Sequence, residues 1–439
     1  MAQAPEQKIG PVTTSRIAAS LVAEVESNLP LLVNCNKTVQ KPFETAGDGT
    51  VMDVLVPECP TVGEGAWINE GDPTADHNGV VGNKGHELDY SNKAVPVVLK
   101  QKHVAFGLPS AMEFSSIDDM ENMVVKPYGS TLASAVQTSV ADTVLNGSAF
   151  TDVLSGADKF PEVAEAVAQL RKARTYGKLV GCVGSTLNGK LSGEGIKYFN
   201  PQNNISDIWK SARLGEYQSA EWFTTPDVED LIVPGNSAAA GSATIASTSI
   251  QSIVRGKKLF AANDGAEVWI KSGATVDSTL AVTDGWVKGE IFTISGVDVA
   301  DMFGSDLGEA YSFKVLDTEI RNESGTNYLY IKVRNPGYGE AYYSGGDDTI
   351  SSVTKVTEKG STYYRGAIYA ANTLCVAFGR FAKPVNANVG AYTGQTGISI
   401  RTTEAYQVIP DRNVHRWDTL VGSALARPNH ACELLILKA

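Results

Sequence analysis

The first periodic stretch follows Ser15: Ile17, Leu21, Val22 and Val25 fall at helical spacing, with Thr13 or Thr14 placed to cap it. Asn28, Leu29 and Pro30 end the pattern. A single short amphipathic helix is not stable by itself, so it must dock on its own body or on a neighbour. Residues 41–107 change character. VMDVLVPE and AVPVVLKQKHVAF are rich in β-branched residues and predict two strands. Between them, GEGAWINEGDPTADHNGVVGNKGHELD is crowded with Gly, Asp and Asn. Two strands around a long polar tip predict an extended hairpin arm, because a loop of that length is usually functional. The competing reading is an ordinary surface loop. Such an arm has too little core to be stable alone.

A long helix comes next. Tyr128, Leu132, Val136, Val140 and Val144 repeat every fourth residue, supported by Ala133, Ala135 and Ala141. Pro127 suits its first turn and Asn146-Gly147 its end. A second helix starts near Pro161, carries Val163, Val167 and Leu170 on one face, and ends at Gly177. KLVGCVG (178–184) then reads as a buried strand. Residues 236–254 carry no charge and are mostly small, which predicts a linker or a weak edge strand. From 255 to 362 the pattern is all-β: AEVWIKS, EIFTISGV, YSFKVLD and NYLYIKV, each bounded by Gly, Asp or Asn. That spacing predicts a small barrel, inserted into the chain and able to fold alone. Its loops Asn263–Gly265 and Asp298–Glu309 are candidates for contacting neighbours. GISIRTTEAYQV, RWDTLVGSAL and CELLILK make the C-terminal segment β again.

Composition narrows the function classes. A chain of 439 residues has room for about two to four structural units. With 43% hydrophobic and 20% charged residues it is not a disordered chain. The 37 basic and 49 acidic side chains give a net charge of −12 with no basic run, which argues against a tight electrostatic grip on nucleic acid. Cys35, Cys59, Cys182, Cys375 and Cys432 are odd in number and far apart, so neither a disulfide framework nor a zinc ribbon is expected. They read as reduced, mostly buried thiols. MAQAPEQKIG lacks an apolar signal core, and no apolar run reaches the ~18 residues of a membrane span. The expectation is a cytoplasmic chain without a membrane partner.

One motif has the look of chemistry. Gly184-Ser-Thr-Leu-Asn-Gly189-Lys190 fits the GxxxxGK part of a phosphate-binding loop and follows a strand. The next residue should carry a hydroxyl for Mg²⁺, and here it is Leu191. Asp317 is the nearest candidate metal partner and lies in the inserted β region. A Gly-rich turn explains the segment better, and an ATP- or GTP-binding enzyme remains the alternative. His77, His86, His103, His415 and His430 show no ligand spacing. No catalytic, cofactor or metal site is expected.

The elements run in the order N-terminal arm, extended hairpin, long helix, peripheral part, axial part, insertion and return, and after the long helix come the local phrases KYFNPQ (197–202), TPDVEDLIVPG (225–235), KGEIFTISGV (288–297), GISIRTTEAY (397–406) and RWDTLVGSALARP (416–428). In that order the chain resembles the HK97-fold major capsid proteins of tailed bacteriophages. Within them it is most similar to the podovirus branch, the short-tailed Salmonella phage type, which carries an inserted domain. The resemblance implies an α+β fold with an N-arm (1–40), an E-loop region (41–107) and a peripheral domain (108–175) whose spine helix spans 116–146. It implies an axial domain in two parts (176–235 and 363–397), an inserted β-barrel (236–362) and peripheral C-terminal strands (398–439).

The function implied is self-assembly into hexamers and pentamers of an icosahedral shell enclosing double-stranded DNA, without enzyme activity or cofactor. Partners would be other copies, a scaffolding protein, a portal protein at one vertex, and DNA held without sequence-specific binding. The place would be the virion capsid, assembled in the host cytoplasm. Trp67, Asp72, Asp76 and Lys84 at the arm tip, with Asn263 and Asp264 in the insertion, are the expected interface residues. Lys84 and Lys93 make a Lys-Asn crosslink conceivable, although the branch resembled does not crosslink. A decoration or tail-tube subunit is a further alternative.

Overall fold

The computed structural model describes residues 11–27, 29–36, 51–57, 92–109, 124–156, 158–198, 216–217, 219–233, 267–275, 288–301, 305–334, 336, 340–343, 353–358, 360–381, 388–409 and 411–438. Its helices are α1 (Pro11–Ser27), α2 (Pro30–Val33), α3 (Lys126–Gly147), α4 (Lys159–Lys172) and α5 (Ser185–Tyr198). Its strands begin with β1 (Val51–Pro57), β2 (Asn92–Val98), β3 (Lys100–Pro109), β4 (Phe150–Val153), β5 (Leu179–Gly184), β6 (Glu216–Tyr217), β7 (Ala220–Thr225) and β8 (Leu231–Ile232). The all-β region holds β9 (Glu267–Thr275), β10 (Ile291–Ala300), β11 (Asp306–Lys314), β12 (Asp317–Glu323), β13 (Thr326–Arg334), β14 (Ala341–Tyr343) and β15 (Val353–Lys355). The return holds β16 (Thr362–Ala370), β17 (Leu374–Gly379), β18 (Asn388–Thr393), β19 (Ser399–Gln407), β20 (Arg412–Leu425) and β21 (Ala431–Leu437).

The helices follow their apolar spacing, with different ends. α1 starts at Pro11, so Thr13 and Thr14 lie inside its first turn and do not cap it. Proline fits there because first-turn N–H groups have no helical partner. Leu21, Val22 and Val25 are buried on the chain's own body, against α3, β18 and β19. The Glu26 carboxylate fixes that seat: its Oε1 accepts from Thr396 N at 2.7 Å and from Thr396 Oγ1 at 2.6 Å. α3 begins at Lys126 with Pro127 in its first turn, and residues 116–123 of the expected spine lie outside the described residues. Leu132, Val136, Val140 and Val144 are all buried, as their spacing requires.

α4 stops at Lys172, five residues before the expected Gly177. Arg174 takes a left-handed φ of 59° there, and Gly177, with φ 97°, starts the run into β5. At the other end, Glu194 Oε2 accepts from Lys159 N at 2.6 Å and Glu162 Oε1 from Gly156 N at 2.7 Å. The bond to Lys159 N supplies what the Asp158 side chain, which makes no cap bond, leaves unmet, and the bond to Gly156 N ties down the turn before the helix.

Two sheets carry the body. In the larger, the order is β4-β21-β16-β5-β7-β6, with β8 also on β16. Pairs β4–β21 and β5–β7 are parallel and the others antiparallel. Strand β5 is buried at every residue, as its continuous apolar run predicts. The second sheet runs β17-β20-β19-β18, with β3 on the far edge of β20. The 14 residues of β20 pair with three strands, and β20 starts at Arg412, earlier than RWDTLVGSAL implied. Helix α3 packs on strands of both sheets, and the buried residues of α1, α2 and α3 form one apolar cluster with them.

Between β8 and β16 the regular elements among the described residues are all strands. Its described strands form two antiparallel sheets, β11-β10-β14 with β15 on β10, and β12-β13-β9. Residues 298–300 and 306–309, expected as loop, belong to β10 and β11. The connection is tightened by Asp301 N donating to Ser305 O at 2.8 Å. Phe292, Phe313, Ile331 and Val333 of this region share a buried cluster with Phe150, Phe160 and Leu170 of the body. The region is therefore built into the body, and its core is not walled off from it. Residues 236–254 lie outside the described residues.

Candidate functional site: the hairpin arm and its seat

The two strand runs expected to form an arm do pair. β1 and β2 are antiparallel in one register from Val51↔Val98 to Pro57↔Asn92. The second run is longer than the first and divides at Leu99: residues 92–98 serve β1, and 100–109 pair with β20. The arm thus grows directly out of an edge strand of the five-stranded sheet.

Alternation gives the arm two faces. Val56, Val95, Val97 and Leu99 point inward and are buried with Cys375, Ala377, Ala424 and Ala426. The seat is cut from small residues. A Cβ on Gly422 would stand 2.9 Å from both Val97 Cγ1 and the Val98 carbonyl, and one on Gly379 would stand 2.7 Å from Leu99 Cδ1. Glycine at those positions lets the arm lie against the sheet, and full burial of each valine or leucine is worth about 1.5–3 kcal/mol. The other face is open: Val51 is 55% exposed, Leu55 63% and Val98 45%. A second apolar spot lies at the β19–β20 turn, where Val408 is 76% and Ile409 91% exposed.

A buried ion network holds the body to which the arm is attached. Glu433 on β21 is fully buried and pairs with Arg365 on β16 at 2.6 Å and with Lys314 on β11. The Lys314 ammonium also donates to the Leu145 carbonyl and, at 2.8 Å, to Ser148 Oγ, closing the C-terminus of α3. Arg365 donates to Asn146 Oδ1 at 3.3 Å. Burial alone would push the Glu433 carboxyl up, but Arg365 and Lys314 hold it below the usual carboxylate range. Two further buried carboxylates are ion-paired. Lys355 meets Glu290 at 3.0 Å, and Asp418 takes Arg401, Arg416 and Gln101 at 2.7–2.8 Å.

The expected interface residues are not among these. Trp67, Asp72, Asp76 and Lys84, and Asn263 and Asp264, all lie outside the described residues, as do Cys59, His77 and His86. Cys35, Cys182, Cys375 and Cys432 are in no disulfide, and the last three are buried. The seat glycines and Lys314 were missed. Their signal was faint: a glycine inside an alternating strand, and one lysine inside the apolar run YSFKVLD.

Gly184–Lys190 proves to be neither a phosphate loop nor a turn. β5 ends at Gly184 and α5 begins at Ser185, leaving no loop to wrap a phosphate. Lys190 instead sits 4.8 Å above the Tyr364 ring. A cavity of about 380 Å³ opens beside Ser185 and Thr186, but Glu229 and Asp230 line it and would repel a phosphate. Asp317 lies in a different sheet, on β12. Among the described residues, no cluster of three or more His, Cys, Asp or Glu is placed to hold a metal, and no helix is long and apolar enough to cross a membrane.

No family model matches the sequence, and no curated protein matches it. Solved structures do. A chain of Mycobacterium phage Che8 is similar over 92% of this chain and 90% of its own, at 10% identity and a TM-score of 0.42. A chain of the capsid of cyanophage P-SCSP1u is similar over 92% and 87%, at 6% identity and a TM-score of 0.41. A chain of the virus-like particle from Pyrococcus furiosus is similar over 96% and 99%, at 8% identity and a TM-score of 0.39.

Proposed function

We propose that this chain is a shell-building subunit, the major capsid protein of a tailed bacteriophage, of HK97 type and podovirus-like in carrying its inserted β domain. The observation that carries the reading is the hairpin arm. One face is fitted to a seat of glycine and alanine, and the other leaves Val51, Leu55 and Val98 open. Apolar side chains ordered on an exposed strand pair gain burial only against another molecule. The order of elements and the local phrases of the sequence favour the same reading.

In this proposal copies associate as hexamers and pentamers. The arm (41–107) reaches neighbours, the N-arm (1–40) docks on its own subunit through α1, residues 108–175 and 398–439 form the periphery, and 176–235 with 363–397 the axial part. The inserted domain (236–362) steadies the subunit and presents Asn263 and Asp264. Trp67 anchors the arm tip, with Asp72, Asp76 and Lys84 setting its register. A scaffolding protein and a portal protein assist assembly in the host cytoplasm, and the shell encloses double-stranded DNA without reading its sequence.

Leu55→Asp and Trp67→Ala test the reading. Each is expected to leave the unassembled chain's melting temperature within a few degrees of wild type and to abolish or cripple particle formation, read by sedimentation. Normal particles from both variants would remove the arm from assembly. Early melting of either unassembled variant would make that residue part of the chain's own core.

A further inference from the structure

The turn 428–430 joins three parts of the chain. The Pro428 carbonyl accepts from Ala149 N at 3.0 Å, where α3 gives way to β4. Asn429 Nδ2 donates to the Ala300 carbonyl at 3.0 Å, at the end of β10 in the all-β region. His430, 5% exposed, bonds through its ring to the Ala173 backbone at the end of α4. Its Nε2 is buried with no hydrogen-bond partner.

Most of the charges around it are committed to other partners. Arg427 flanks the ring on its own segment. Just past α4, Arg174 donates to Asp301 Oδ2 at 3.0 Å, and the other oxygen, Oδ1, accepts from Ser305 N at 2.8 Å. On β21, Glu433 is held by Arg365 and Lys314, and on β4 Asp152 accepts from Cys432 Sγ at 3.5 Å. Asp301 and Glu433 are thus committed to other cations, burial lifts the carboxyls of Asp152 on β4 and Asp298 on β10, and Arg427 sets a cation beside the ring.

We infer that His430 is an acid-sensitive latch: neutral, it closes the joint between the inserted β region and the body, and protonated, it loosens that joint. A proton on Nε2 would place a buried cation beside Arg427 with no acceptor of its own. The grip of the turn on Ala300 and Ala149 would weaken with it. Burial, then Arg427, holds the imidazole down to about 4, against an ordinary value of 6.5. The sign follows. Above 6.5 the ring is neutral whether the joint is open or closed. Below it the opened joint takes the proton first, so opening becomes more favourable by about tenfold per pH unit until about pH 4.

Hydrogen exchange by mass spectrometry on the intact chain, corrected for intrinsic rates, tests this at pH 7.5, 6.0 and 4.5. Wild type is expected to lose protection at residues 298–301 and 428–431 as the pH falls, before the five-stranded sheet does. His430→Gln is expected to lose no protection at those residues as the pH falls. Should that variant fold poorly, His430→Phe supplies an unprotonatable ring. Parallel loss of protection in wild type and variant, or full protection of wild type at pH 4.5, would overturn the latch.

Discussion

Single residues carry more of this fold than their number suggests, and Lys314 shows how. It comes from the all-β region, yet its ammonium answers a buried carboxylate on β21 and closes the end of α3. Lys314→Met would leave Glu433 with Arg365 alone and the Leu145 carbonyl without this donor. Breaking one partner of a buried pair costs roughly 3–5 kcal/mol, so a chemical-denaturation midpoint should fall well below wild type. Lys314→Met with Glu433→Gln should recover part of the loss. An unchanged midpoint in the single variant would mean the network is not holding the joint. Asp152 makes the opposite case. Burial raises its carboxyl to about 6, against 3.8 in an open chain. The unfolded chain therefore gives up this proton first, and folding loses stability as pH rises from about 4 to 6. Asp152→Asn should be more stable than wild type at pH 7.5 and no different at pH 4. A variant that is less stable at pH 7.5 would refute this.

Elements were the level at which the sequence spoke most clearly. Spacing of four along Leu132, Val136, Val140 and Val144 gave α3, and the unbroken apolar run 179–184 gave β5. The paired strands of the arm were legible from two β-branched runs around a polar tip. Element ends were less legible, because they depend on partners far away in sequence. α4 ends where Arg174 takes positive φ, and the run through Leu99 splits because β20 is there to receive residues 100–109. α5 was misread as a turn, since Gly189 and Gly193 lower helix propensity while Leu187 and Leu191 supply the buried face that decides it. The seat of the arm was not legible at all: Gly379 and Gly422 acquire meaning only once Leu99 and Val97 lie on them. Gly422→Val should lift the arm off β20. The body should keep its strand content by circular dichroism, while protease cuts the chain between residues 92 and 99 faster than in wild type. Unchanged cleavage would show that the arm does not need this seat.

At the scale of the whole molecule the parts divide the work. α3 ties the two sheets together, the all-β region is bolted to that helix through Lys314, and the arm stands on the five-stranded sheet with one apolar face turned outward. That face, and the exposed Val408 and Ile409 at the β19–β20 turn, are surfaces suited to other copies. The most direct measurement is sedimentation with negative-stain imaging of the intact chain, expressed together with its neighbouring genes. The shell reading expects closed, roughly spherical particles of megadalton mass, built mainly of this chain. A small soluble species under every condition, or open tubes, would contradict it.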